Sequence, residues 1–157
     1  MIINVQVLDD YQQHVPAEWI EIAARAALLH MDAGEDSELT VVIQSNDDLR
    51  NLNREFRGID AATDVLAFPA DELEPDSGSR YIGDIAIAYP YAREQAQQAG
   101  HPLEHEVKLL VVHGILHLFE LDHVGDEDTR EMWAAQYSIM DSLGIDIRQW
   151  PLISGAH

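Results

Sequence analysis

The longest apolar stretch of the chain runs from Val107 to Phe119, broken chiefly by Lys108, His113 and His117. Read as a helix from Leu103 to Phe119, it is apolar on nearly every side, so it cannot lie on a surface and must be covered by other elements. It is also too short and too interrupted to cross a membrane. The remaining sequence therefore has to build a shell around one central helix. A chain of 157 residues is long enough to do so as a single domain. With 46% apolar and 24% charged residues the composition is that of an ordinary globular protein.

The shell can be read along the chain. Ile2 to Leu8 is predicted as a first strand. Pro16 to Leu29 follows as an amphipathic helix with Trp19, Ile22, Ala23, Ala26 and Leu29 on its buried face. Leu39 to Ile43 is a second strand. Asn46 reads as the N-cap of a short helix ending near Phe56, with Asp47 and Asp48 favourably placed at its positive end. Asp64 to Phe68 is a third strand stopped by Pro69, and Ile82 to Tyr89 an alternating fourth. Between them, residues 71 to 80 carry four acids, a proline and a glycine and read as an exposed loop. A helix from Pro90 to Ala99 closes on Gly100, and a last helix opens on an Asp128/Glu131 capping box and ends at Gly144. Strands concentrated early and helices late predict an α+β fold, a small mixed four-stranded sheet covered by about five helices. One domain is expected over 1–147, with 148–157 as a loose tail.

Within the central helix, His113 and His117 stand at i and i+4, on the same face and one turn apart. His123 follows six residues later, where the chain can double back. Three imidazoles converging in this way can hold one divalent ion at about 2.0–2.1 Å. For eight histidines in 157 residues the chance expectation of this spacing is about 0.02. The chain has no cysteine, so His, Asp or Glu must supply any ligands. Three histidines leave a position open for water, which favours chemistry over a structural role, and one zinc-like divalent ion per chain is the expected occupant. A zinc protease would carry Glu directly after the first histidine as general base, and position 114 is Gly. Gly114 costs about 1 kcal/mol in a helix relative to Ala, which implies close approach of backbone or substrate. His101 and His105 share the same spacing, but Pro102 stands between them, and a surface or capping role is expected.

These residues lie in longer motifs. The string His113-Gly-Ile-Leu-His117-Leu-Phe-Glu-Leu-Asp-His123 resembles the hallmark of the YbeY family of bacterial metal-dependent endoribonucleases, an H-G-x-L-H-L-x-G-Y-D-H run. Leu52 to Pro69, containing Asn53-Arg54-Glu55-Phe56-Arg57-Gly58 and Thr63-Asp64-Val65-Leu66, resembles its second signature, and Gly83-Asp84-Ile85 a third. The resemblance implies zinc, or another divalent metal in its place, on His113, His117 and His123, and cleavage of single-stranded RNA during ribosomal RNA maturation and ribosome quality control. It also implies a small-subunit ribosomal protein and a ribosome-assembly GTPase as partners, and a role in activity for Arg57. The chain departs from the pattern at Glu120-Leu121, where the family has Gly-Tyr, and at Ala62, where it has Pro. Asp122 either orients a ligand histidine or forms part of the turn. Asp84 is expected as a strand-end hydrogen-bonding residue. A zincin-like metalloprotease and a non-catalytic assembly module with a structural metal are the alternatives.

Charge tests that reading. Nine basic residues against 29 acidic ones give −20, and Lys108 is the single lysine. Generic adhesion to nucleic acid or to anionic membranes is disfavoured, and neither DNA nor a membrane is expected as a partner. Arg50, Arg54 and Arg57, a third of the positive charge, recur at i, i+4 and i+7 and could form a local phosphate-binding stripe, unless Asp47 and Glu55 satisfy them. No early segment pairs a basic start with an apolar core, so a cytoplasmic location is the default expectation.

Overall fold

The structure, a computed structural model, describes residues 1–70, 80–119, 126–148 and 150, with the side chains of 126–129 excepted. The elements follow in the order β1 (Ile2–Val7), α1 (Ala17–His30), β2 (Ser37–Gln44), α2 (Asn46–Arg57), β3 (Val65–Pro69), β4 (Arg80–Ala88), α3 (Tyr89–Ala99), α4 (Leu103–Leu118) and α5 (Asp126–Ser142). The strands form one sheet in the order β1-β2-β4-β3. β1, β2 and β4 are parallel and β3 runs antiparallel to β4. The expected α+β fold, a small mixed sheet under five helices, is what forms.

Side-chain alternation assigns each face of the sheet. Leu39, Val41, Ile43, Val65, Ile85 and Ile87 join one buried cluster with α1 and α4. Leu66, Ala86 and Ala88 point the other way and pack with Leu49 of α2. β4 is therefore covered on both faces, which is why Ile85 to Ala88 are buried without a break where alternation was expected. β3 is an edge strand, the one place where Pro69 can finish a strand without costing a ladder bond.

α4 sits at the centre as anticipated. Residues Glu106 to Leu118 are all buried, and the helix touches α1, α3, α5, β3 and β4. Gly114 allows the closest approach to the sheet: a Cβ built there would stand 2.9 Å from Ile85 Cγ2 and 3.1 Å from Ile85 Cδ1. The close approach is thus to a β4 side chain. One turn on, Leu118 lies over Gly83, whose φ of 151° and proximity to the Phe68 carbonyl exclude a side chain. Gly83 follows a register shift between β2 and β4.

Several local expectations are corrected. α2 is capped by Ser45, not Asn46: the Asp48 amide donates to Ser45 Oγ (3.1 Å) and the Ser45 amide to Asp48 Oδ2 (3.2 Å). α1 buries Ile20, Ala23, Ala24, Ala27 and Leu28, whereas Ile22 and Leu29 are 45% and 62% exposed. The helix is apolar over more than half its circumference, and the stripe containing three alanines wins because it lets α1 lie close to α4. α5 opens at Asp126, so Asp128 and Glu131 lie within the helix and not at its cap. In the stretch 148–157, residues 149 and 151–157 lie outside the described residues; Arg148 pairs with Asp146 at 2.6 Å and Trp150 stacks on His101 with ring centroids 3.7 Å apart.

Candidate metal centre

α4 brings His113 and His117 together. Both are buried, at 7% and 6% exposure, and their Nε2 atoms face each other 2.7 Å apart, with the rings at 71°. Two nitrogens bound to one tetrahedral ion at 2.0–2.1 Å would stand about 3.3 Å apart, so a shift of roughly 0.6 Å turns this pair into two ligands of a common ion. The donor set is two buried imidazoles with apolar or glycine neighbours in the C-terminal half of α4, which fits a borderline-soft divalent cation. His123, the third expected ligand, lies outside the described residues, as do Glu120, Leu121 and Asp122. Among the described residues no group of three His, Asp or Glu side chains surrounds an ion position.

One contributor escaped the sequence reading. His113 Nδ1 hydrogen-bonds Oε1 of Gln136, a side chain of α5 that is 2% exposed. Gln136 falls on the stripe of Met132, Ala135, Ile139 and Met140, all buried, so it is a polar residue in a core position. That interruption of an apolar stripe was the available signal.

Arg57 ends α2 and is exposed, without a hydrogen bond or ion pair among the described residues. α2, which carries Arg57, packs on the sheet face opposite α4. The two other members of the stripe are engaged. Arg50 donates to both oxygens of Asp60 (2.7 and 3.1 Å), Arg54 lies 3.8 Å from the same carboxylate, and the Arg50 guanidinium holds Asp60 below the usual carboxylate range. The neutralising acid is therefore Asp60, delivered by the turn after the Gly58 C-cap, and not Asp47 or Glu55. Phe56 is 62% exposed and meets Phe68 edge-on at 5.3 Å.

The string around Thr63 serves the frame. Asp64 is buried and accepts from the Val65 amide (2.8 Å) and from Gln95 Nε2 (3.3 Å), and burial raises its carboxyl pKa above the ordinary value. His101 is not at the surface, but its backbone amide helps to cap α3 by donating to the Ala96 carbonyl (3.1 Å). His101 is 11% exposed by side chain, 2.6 Å from the buried Glu106 carboxylate and stacked on Trp150.

Comparison with known proteins decides what this frame is. Residues 3–144 match the family described as Endoribonuclease YbeY. The chain belongs to the YbeY family. Endoribonucleases of this name from Rhodococcus opacus and Roseiflexus castenholzii are similar to it. The first is 34% identical over 154 residues, covering 94% of this chain and 86% of the relative. The second is 37% identical over 150 residues, covering 92% and 94%. A Thermotoga maritima protein of known solution structure superposes with a TM-score of 0.61 at 27% identity, covering 91% of this chain and 90% of its own. YbeY members are hydrolases acting on RNA, which makes RNA the substrate class to be explained. No helix among the described residues is long and apolar enough to cross a membrane.

Proposed function

We propose that the chain is a cytoplasmic, zinc-dependent endoribonuclease that cuts single-stranded RNA in ribosomal RNA maturation and ribosome quality control. His113, His117 and His123 serve as ligands and Arg57 acts on the substrate phosphate. The observation that carries the reading is the convergence of two buried Nε2 atoms at one point on the central helix of a YbeY-type fold. A small-subunit ribosomal protein and a ribosome-assembly GTPase belong to this proposal as partners.

A bound divalent ion supplies Lewis acidity toward a phosphoryl oxygen and toward water. The protein residues do the rest. Burial of His113 and His117 keeps bulk water from competing with the ligands. Gly114 fixes the depth at which α4 sits on β4, and with it the position of both rings. Arg57, uncommitted among the described residues, can donate to a non-bridging phosphate oxygen and stabilise charge that develops during in-line displacement. Arg50 and Arg54 can join only by exchanging Asp60 for phosphate. Asp122 would orient a ligand histidine. The protease alternative lacks support, since Gly114 offers no base and faces Ile85.

The test is to incubate zinc-loaded protein with a labelled single-stranded RNA, beside the His117→Ala variant purified identically. Cleavage by the wild type alone supports the reading. Equal cleavage by both preparations, or by neither, overturns it.

A further inference from the structure

We infer that Gln136 is a positioning residue: its amide oxygen holds the His113 ring as the Nδ1–H tautomer and thereby turns the Nε2 lone pair toward the point shared with His117. The inference rests on the metal-site reading above, but it concerns atoms of the chain itself. An amide oxygen can only accept a hydrogen bond, so the Oε1 contact places the proton of His113 on Nδ1. In a neutral imidazole the remaining nitrogen, Nε2, then carries the lone pair, and Nε2 is the atom that faces His117 Nε2 at 2.7 Å. The contact joins α5 to α4 across 23 positions of sequence, so it is set by the packing of the two helices and not by local chain geometry.

The location of Gln136 argues against an incidental contact. Its neighbours on the same stripe are the buried apolar residues Met132, Ala135, Ile139 and Met140, and a buried amide is costly unless its polar atoms find partners. A core position given to glutamine is explained by the ring it holds. The choice of a neutral acceptor has a further consequence. A carboxylate there would add negative charge behind the ligand and make the imidazole more basic, whereas glutamine orients the ring without offsetting the charge of a bound cation. In a protein with a formal charge of −20 that must attract a polyanion, a neutral orienting group preserves what local positive charge the site has.

The test uses the full chain, in metal-free and zinc-loaded forms, and needs no RNA. The ¹⁵N shifts of the His113 ring in the metal-free wild type should show Nδ1 protonated and Nε2 unprotonated. Gln136→Leu, which removes the acceptor while keeping the stripe apolar, should release the tautomer preference. It should also weaken zinc binding, measured by competition with a chromophoric chelator, by about 10–100-fold. Gln136→Glu, which retains an acceptor oxygen, should bind zinc at least as well as the wild type. A wild-type His113 protonated on Nε2 would overturn the inference without any variant, and so would a folded Gln136→Leu protein with unchanged zinc affinity. A wild type that shows the expected tautomer and holds zinc but cuts no RNA would sink the proposed function and leave this inference standing.

Discussion

The Tyr81 hydroxyl lies 2.5 Å from Asp84 Oδ1 and 2.6 Å from Thr40 Oγ1, linking β4 to β2. Asp84 is thus the hydrogen-bonding residue expected from sequence, although it lies within β4 and not at its end. Partial burial first, and the Asp84 carboxylate second, push the Tyr81 hydroxyl up to about 12. A phenol whose folded pKa exceeds its unfolded value of 10.0 gives stability that is fully present below pH 10 and is lost as pH rises from 10 to about 12. Ultraviolet titration at alkaline pH should therefore show Tyr11, which burial also raises, ionising above the ordinary value and Tyr81 at a midpoint of about 12. Asp84→Asn should bring that midpoint down toward 10, and an unchanged midpoint would remove Asp84 as a cause.

Arg57 is expected to act on substrate and not on the fold. It is exposed and makes no pairing among the described residues, so Arg57→Ala should melt like the wild type and keep its metal. RNA cleavage should fall by about 10²–10³-fold if the guanidinium stabilises developing charge in a water-poor cleft. Full activity in a folded, zinc-loaded variant would return Arg57 to a solvated helix end.

Gly114→Ala gains about 1 kcal/mol of helix propensity but drives a methyl group into the fully buried Ile85, and overpacking of this kind costs about 1–3 kcal/mol. A net loss of about 1 kcal/mol is expected in chemical denaturation, partly recovered by Ile85→Val, together with weaker zinc binding as α4 is lifted from the sheet. Stabilisation by Gly114→Ala would show that the helix has room to shift.

What the sequence made legible was whatever is periodic or local. The buried α4, the His113/His117 pair at helical spacing, the four strands and the Gly100 C-cap all follow from residues that are near each other in the chain. What escaped were contacts fixed by packing. α1 offered two apolar stripes, and only the presence of α4 selects the one through Ala23, Ala24 and Ala27. Asp60 reaches Arg50 because Gly58 takes a φ of 72° and folds the chain back along α2. Gln136 gains its meaning only when α5 lies against His113. Ser45 is a different case: the capping box with Asp48 was local and readable, and Asn46 competed with it as an equally good capping residue.

The pairing of β2 with β4 constrains how the chain reaches this structure. Val41 and Ile85 are in register although 44 positions separate them, and α2 and β3 must be accommodated before that ladder can close. Parallel pairing across so long an intervening segment carries a large loop-closure entropy, which places the central ladder late in the folding reaction and makes the domain a slow folder for its length. Until the ladder closes, β4 offers α4 no floor, and the apolar helix that carries the histidines is exposed to solvent and to other copies of itself. Metal capture at the proposed His113/His117 site would then compete in time with self-association, and the helix that carries both histidines is the chain's main liability before it is buried.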